Sequence, residues 1–240
     1  MNYNNFQMDG TVRDHELSLS AAFPVLMRKV YVWMTLALLL TGVTAYGVAT
    51  SPGIMMALAT NKILFFGLII AEFALVLGVS GAINRLSLAT ATLMFVAYSV
   101  INGALLSFIF LAYTMESVTS VFFITAATFA VMAVFGYTTK KDLTSIGRML
   151  FMALIGIIIA TLVNMFIGSS GLNMIISYVG VLIFIGLTAY DSQKIKEMLA
   201  MSGSTGEAGQ KLALLGALTL YLDFINLFIY LLRIFGQKRD

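Results

Sequence analysis

The sequence predicts an all-α integral membrane protein. Of its 240 residues, 60% are hydrophobic and only 10% are charged, and long apolar runs recur along the whole chain. Each run is long enough to cross the ~30 Å hydrocarbon layer as a helix, and none has the alternation of a membrane β-barrel. A soluble core could not absorb this much apolar surface. We therefore predict one domain of seven transmembrane helices.

The composition also narrows the chemistry. The net charge of +3 could suggest a nucleic-acid partner, but the basic residues stand one to three at a time at the ends of the apolar runs, as orientation signals do. The chain has no cysteine and one histidine, His15, which excludes disulfides and a cluster of Cys or His metal ligands. We expect no cofactor and no nucleic acid among its partners.

The first residues differ from the rest. Residues 1–24 are polar and mixed in charge, and they lack the charged-then-apolar layout of a cleavable signal peptide. We expect a partly disordered tail that ends at Phe23-Pro24. The membrane domain then covers 25–236, followed by a short tail at 237–240.

Seven apolar spans follow in order. Their approximate bounds are 30–50, 63–83, 88–113, 118–137, 148–167, 172–190 and 212–232. Ser51-Pro52-Gly53 breaks the first span, and Thr139 or Asp142 is expected to cap the fifth helix. Roughly twenty polar residues after Asp191, including the flexible run 202–206, are expected to connect the last two spans.

The distribution of basic residues predicts the orientation. With the N-terminus in the cytoplasm, Lys62 alone lies between outer helix ends, whereas the inner segments hold Arg13, Arg28, Lys29, Arg85, Lys140, Lys141, Arg148, Lys194, Lys196 and Lys211. The C-terminus is then outside, although Arg233, Lys238 and Arg239 favour the opposite. A last helix that re-enters the membrane would also satisfy those three charges.

The acids within the spans are the informative residues, because a charged side chain at a helix centre costs roughly 2.5–3.5 kcal/mol on insertion scales. Asp223 lies at the centre of the last span. Four residues recur with it at spacings of three and four, on one face of the helix: Gly216, Thr219, Asn226 and Tyr230. Such a stripe faces the bundle interior and can line a path for a cation, or Asp223 can be protonated and hydrogen-bonded between helices.

Asp191 stands where the sixth span ends. Alone it is equally well explained as a solvated carboxylate paired with Lys194 or Lys196. If it meets Asp223, the two carboxyl groups cannot both ionise cheaply and titrate as a unit, which makes a proton sensor. The contact requires the sixth helix to sink or the seventh to shift.

Glu72 has only apolar neighbours on its own helix face, so its partner must come from another helix. Arg233, near the outer end of the last span, is a candidate for an ion pair. The alternative is that Arg233 snorkels to the surface and Glu72 is protonated. Asn102 and Asn164 are expected to hydrogen-bond between helices, and Gly156 is expected to allow a close helix approach.

Three segments resemble a known family. GLTAYDSQKIKEM (186–198) and LYLDFINLFIYLLRIFG (220–236) are similar to the paired signature of the Bax inhibitor-1 family, and FGYTTKKDLTSIG (135–147) is a third matching block. The resemblance implies two three-helix layers around a central last helix. It also implies a pH-sensitive calcium leak whose aspartate sensor falls on Asp191 and Asp223, with Glu72 and Arg233 matching the family's paired glutamate and arginine.

One position departs from the family pattern. Family members carry a basic cluster at the inner end of the second helix, whose arginine latches onto the aspartates. Here the region reads SGAINRLS, with Arg85 as its sole basic residue, displaced by about half a turn. Arg85 is therefore a candidate latch that does not match the pattern.

Together these observations lead to one hypothesis and two alternatives. We expect a calcium leak channel, not an enzyme, in a bacterial inner membrane, with lipid, calcium and protons as partners and with Asp191 and Asp223 binding calcium transiently. Thr219, Asn226 and Tyr230 would line the path. An intramembrane aspartyl protease would also need two aspartates, but the chain lacks Gly-x-Gly-Asp before Asp223. A proton-coupled cation exchanger would use the same acids.

Overall fold

The computed structural model describes residues 3–202 and 205–239, with side chains from Phe23 onward, and this part of the chain is helical apart from short connections. The helices are α1 (Tyr3–Ala49), α2 (Pro52–Thr60), α3 (Lys62–Ala82), α4 (Leu88–Leu106), α5 (Ile109–Ala112), α6 (Met115–Thr138), α7 (Thr144–Ile167), α8 (Ser170–Ser202) and α9 (Glu207–Phe235). Seven of them are long and apolar enough to cross a membrane, and the predicted seven-helix class is confirmed.

Local chemistry starts and stops these helices. Asn61, Ser87 and Thr114 each accept a hydrogen bond from a backbone N–H in the first turn of the helix that follows, at 3.0, 3.1 and 3.3 Å. Each cap satisfies a donor that has no partner within its helix. Helix α7 ends at Gly168, whose φ of +71° is the left-handed conformation that glycine adopts at little cost.

Helix α9 is the centre of the bundle. It packs against α1 and α4 on one side and against α6 and α8 on the other. Helix α3 packs on α4, and α7 packs on α8, so both lie at the periphery. The arrangement is two three-helix layers, α1-α3-α4 and α6-α7-α8, around the last helix. The side chains of Leu214, Leu220, Tyr221 and Leu227 on α9 have no exposed surface.

Two predicted boundaries are wrong. Helix α1 runs through Pro24 without a break, so the expected disordered tail is helical from Tyr3. Helix α8 continues for eleven residues beyond Asp191, because Ile195 and Leu199 follow at four-residue spacing and are buried at 3% and 1% exposure. Asp191 is therefore inside a helix. Gly203 and Ser204 of the expected flexible run lie outside the described residues.

The last helix crosses the whole bundle. At its start, the Glu207 carboxylate accepts from the backbone N–H of Leu88 at the start of α4, at 3.2 Å. At its far end, the backbone N–H groups of Thr114 and Arg239 donate to the carbonyls of Gln237 and Ala112 at 3.1 and 3.0 Å. Helix α9 thus runs parallel to α4 and does not re-enter. Which end faces the cytoplasm stays a prediction.

Candidate functional site

Asp191 and Asp223 meet between α8 and α9. Their carboxyl groups lie within hydrogen-bonding reach of each other, and their side chains are only 5% and 4% exposed. The extension of α8 makes this contact: α8 and α9 are antiparallel neighbours joined by a short connection, and both acids lie well inside their helices. The boundaries predicted from the sequence required one of the two helices to sink or shift, but in the structure neither has to.

The pair contains more acceptors than donors. Two ionised carboxylates cannot hydrogen-bond to each other, so a hydrogen bond within the pair needs one proton. Asp223 Oδ2 is buried without a hydrogen-bond partner, and so is Ser192 Oγ beside Asp191. Lys194, one turn beyond Asp191, is the positively charged side chain that interacts electrostatically with Asp191. Its ammonium group also lies 5.7 Å from the centre of the Tyr190 ring. The site can hold a proton, or a cation in its place.

Two glycines let neighbouring helices approach the segment that carries Asp191. A Cβ atom at Gly136 of α6 would overlap the backbone of Ala189, and one at Gly147 of α7 would lie 2.5 Å from the Tyr190 ring. Both contacts require the absence of a side chain. The segment just before Asp191 is therefore fixed by the backbones of α6 and α7.

Hydrogen bonds fix the segment just after Asp191. The backbone N–H of Leu143 donates to Gln193 Oε1 at 2.8 Å, and Gln193 Nε2 donates to the Lys141 carbonyl at 2.9 Å. Lys196 Nζ donates to the Tyr137 carbonyl at 2.8 Å. The α6–α7 connection is thus attached to α8 beside the carboxyl pair. Gln193 was not identified from the sequence. The available signal was the continuation of the helix through 186–198, which keeps Gln193 within the same buried helix as Asp191.

Glu72 lies in a second polar cluster, between α3, α4, α9 and α1. Asn102 Nδ2 donates to the Glu72 carboxylate, and the Tyr98 hydroxyl hydrogen-bonds to it as well. The Tyr221 hydroxyl donates to Asn102 Oδ1 at 3.1 Å and lies 2.7 Å from the Thr41 hydroxyl. The network links α3 to the central helix through α4.

The expected ion pair between Glu72 and Arg233 is absent from this structure. Tyr98 and Asn102 are one turn apart on α4, so both reach Glu72. The Arg233 guanidinium lies at the far end of α9, exposed, with its carbon 5.4 Å from the centre of the Tyr230 ring. It extends toward the surface, as the alternative interpretation of the sequence proposed.

Comparison with known proteins identifies the family. The model of the family described as "Inhibitor of apoptosis-promoting Bax1" (Bax1-I) matches residues 24–240. The chain belongs to the Bax1-I family. It is 49% identical over 220 residues to the inner membrane protein YbhL of Escherichia coli, covering 91% of this chain and 94% of that protein. It is 46% identical over 233 residues to an uncharacterized protein of Borreliella burgdorferi, covering 97% of this chain and 99% of the relative.

The candidate latch of this Bax1-I family member does not touch the carboxyl pair. Arg85 is exposed in the turn between α3 and α4. Among the described residues the one ion pair within 4.0 Å joins Lys211 to Glu207, at 2.9 Å. The departure from the family pattern at Arg85 thus has a structural counterpart, since this arginine contacts neither Asp191 nor Asp223.

The three candidate pore-lining side chains already have contacts within the bundle. The Thr219 hydroxyl donates to the Leu215 carbonyl at 3.1 Å, and Asn226 Nδ2 donates to the Leu222 carbonyl at 2.8 Å, both on their own helix. The Tyr230 ring stacks on Phe184 with centroids 5.8 Å apart. A path along this stripe would need these side chains to exchange partners.

Proposed function

We propose that this Bax1-I family member is a pH-sensitive calcium leak of the bacterial inner membrane, with the Asp191–Asp223 pair as its proton sensor. The observation that carries the proposal is the contact of two buried carboxyl groups, one of which has an oxygen without a partner. The location follows from the similarity to the E. coli inner membrane protein. The distribution of basic residues favours a cytoplasmic N-terminus.

The proposed switch is electrostatic. A proton between the carboxyl groups neutralises their repulsion and keeps α8 and α9 in contact. Loss of that proton leaves two like charges in a medium of low dielectric constant, where their repulsion is far stronger than in water. The helices then separate, or a cation enters between them.

Calcium fits the donor set as cargo. It prefers carboxylate oxygens at about 2.3–2.6 Å and takes six to eight oxygen ligands. The pair supplies at most four, and the described residues contain no cluster of three or more His, Cys, Asp or Glu side chains. Such a site favours transient binding during passage over permanent occupancy.

The network around Glu72 is the proposed gate. It connects α3 to α9 through Asn102 and Tyr221, in place of the ion pair with Arg233 that the sequence suggested. Movement of α3 relative to α9 breaks these hydrogen bonds and lets α9 shift within the bundle. The gate closes when they form again.

Calcium flux into proteoliposomes, measured against pH, tests the sensor. The wild-type protein should pass calcium with a pH response near neutrality. Asp191→Asn and Asp223→Asn each retain a polar side chain but cannot bind and release the proton, so the pH response should flatten. Asp142→Asn removes an exposed acid from the α6–α7 connection and is the matched control. Unchanged calcium flux and an unchanged pH response in both Asp191→Asn and Asp223→Asn would contradict the proposal.

The same preparations distinguish the alternatives. An exchanger would require a counter-gradient of protons and produce electrically silent flux. Two aspartates in contact also fit an aspartyl protease, so cleavage of a transmembrane peptide, lost in either pair variant, would replace the leak with an enzyme. Membership in the Bax1-I family, together with the missing Gly-x-Gly-Asp motif, favours transport over catalysis.

A further inference from the structure

A polar cavity lies at the end of the bundle where α9 finishes. Its volume is about 440 Å³. It is formed where the last turn of α9, the first turns of α8 and the connection after α5 come together, and its polar lining consists of Tyr113, Ser170, Asn173, Ser177, Arg233 and Lys238. It is separate from the carboxyl pair, which lies deep in the bundle. Nothing in the proposed leak mechanism uses it.

The described residues that line this cavity give it a positive charge. Arg233 and Lys238 both line it, and its lining includes no acidic side chain. Neither cation forms an ion pair with a carboxylate of the described residues. The guanidinium has five donors in a planar fork that suits phosphate oxygens, and the Tyr230 ring supports it from one side. The site therefore fits an anion.

The position of Lys238 is fixed before any ligand arrives. Lys238 pairs with Tyr113 in an isolated antiparallel β-bridge. The flanking residues are also held, since the Gln237 N–H donates to Ser117 Oγ at 2.8 Å and the Arg239 N–H donates to the Ala112 carbonyl at 3.0 Å. A backbone that is already ordered reduces the entropy lost on binding.

The neutral groups and the depth of the cavity identify the class of ligand. Ser170, Asn173 and Ser177 follow one another along one side of α8, and the N-terminal end of that helix favours negative charge. Arg233 belongs to the last turn of an apolar spanning helix, at the level where long basic side chains reach lipid headgroups. At the headgroup level of a bilayer, lipid phosphate groups are the anions that a basic side chain meets.

We propose that this cavity binds the phosphate of an anionic phospholipid, with Arg233 and Lys238 as its two charged contacts. Bound lipid would fasten the C-terminal end of α9 to α8 and to the α5–α6 connection. The proposed lipid site does not depend on calcium passage, so the two proposals are tested separately.

Native mass spectrometry of the full-length protein with added phosphatidylglycerol or phosphatidylcholine tests the proposal. The wild type should retain phosphatidylglycerol preferentially. Arg233→Gln combined with Lys238→Gln should weaken its binding by about tenfold or more, because a charge-assisted hydrogen bond contributes at least that factor. Lys140→Gln combined with Lys141→Gln removes the same charge from exposed lysines at the other end of the bundle and should leave binding within about twofold.

Each other outcome overturns the proposal. Equal loss in both double variants would mean general attraction between a basic protein and anionic lipid. Equal retention of the two lipids by the wild type would exclude a site specific for anionic lipid. This comparison needs no variant, so misfolding of a variant cannot hide the result. Displacement of phosphatidylglycerol by millimolar glycerol 3-phosphate or inorganic phosphate would assign the cavity to a soluble phosphate instead of lipid.

Discussion

The central helix carries two buried polar centres of opposite character. Tyr221 and Asp223 are two residues apart, so they face nearly opposite sides of α9. On the Tyr221 side, the Glu72 carboxylate receives hydrogen bonds from Asn102 and Tyr98. On the other side, Asp223 faces the carboxyl group of Asp191 and keeps one oxygen without a partner. One centre has matched donors and acceptors, and the other has an excess of acceptors.

The difference gives the two centres separate parts in the proposed leak: the network around Glu72 holds one arrangement of its helices, and the carboxyl pair responds to protons. A satisfied buried network stabilises one arrangement of its helices, because every broken bond leaves a polar group unpaired in a medium without water. An acceptor-rich pair is stable only while something supplies the missing positive charge, whether a proton or a cation. The first centre therefore resists change, and the second responds to the solution.

The largest expected effect comes from removing each acid in the same way. Glu72→Leu leaves the Asn102 amide and the Tyr98 hydroxyl without their acceptor, and each unpaired donor costs about 1–3 kcal/mol. Asp223→Leu ends the hydrogen bond shared with Asp191 but also removes an oxygen that lacks a partner, so the free energy of unfolding should fall less than in Glu72→Leu. Thermal unfolding of the purified proteins in one detergent compares the two variants.

The polar isosteres are the controls for this comparison. Glu72→Gln retains an acceptor for Asn102 and should recover most of the stability lost in Glu72→Leu. Asp223→Asn gives Asp191 an amide donor and should unfold close to the wild-type temperature. If Asp223→Leu were as damaging as Glu72→Leu, the two centres would be structurally equivalent and the contrast between them would be wrong.

A smaller effect is expected from the packing that holds the carboxyl pair. Gly136→Ala places a methyl group against the Ala189 backbone, which cannot move aside as a side chain could. Overpacking of this kind costs about 1–3 kcal/mol, partly offset by the better helix propensity of alanine. Because Ala189 precedes Asp191 by two residues, the pH response of calcium flux should also shift.

Gly156→Ala is the matched control for that substitution. Gly156 is also inside a long helix, but a Cβ atom there would meet no atom within 4 Å. Its substitution should leave the melting temperature unchanged or raise it slightly. Equal destabilisation by the two variants would mean that the contact at Gly136 adds nothing beyond the general cost of changing a helical glycine.

The sequence was sufficient for the architecture because the membrane dictates it. Apolar runs of spanning length must be helices, and the predicted number of spans, seven, agrees with the structure. The end of α8 was missed because its last turns are rich in charged residues, although Ile195 and Leu199 continue the buried face. The contact between Asp191 and Asp223 depended on that extension, so hydropathy alone could not establish it.

The partners of single residues were beyond sequence reasoning. Glu72 was expected to reach Arg233, but Tyr98 and Asn102 are closer on the neighbouring helix. Gly156 was expected to allow close helix packing, yet it faces outward, and Gly136 performs that role. Asn164 caps the α7–α8 turn through Ser169 at 3.1 Å, where an interhelical bond was expected. Such choices depend on helix rotation, which a spanning pattern with apolar residues on all sides does not encode.

The smallest expected effect concerns a third acid, Asp142, which is exposed on the α6–α7 connection. The Thr144 hydroxyl and backbone N–H donate to its carboxylate, with Arg148 nearby, and these contacts lower the pKa of Asp142 below its usual value. Its contribution to stability is therefore fully present above the usual aspartate pKa of about 3.9 and is lost as the pH falls through the lowered value. Asp142→Ala should show a slightly lower melting temperature than the wild type from pH 5 to 8, with the difference vanishing in strong acid. Because Asp142 stays ionised across that neutral range, a pH response of calcium flux near neutrality cannot come from Asp142. If the pH response were lost in Asp142→Ala, the sensor would lie in the α6–α7 connection and not in the buried pair.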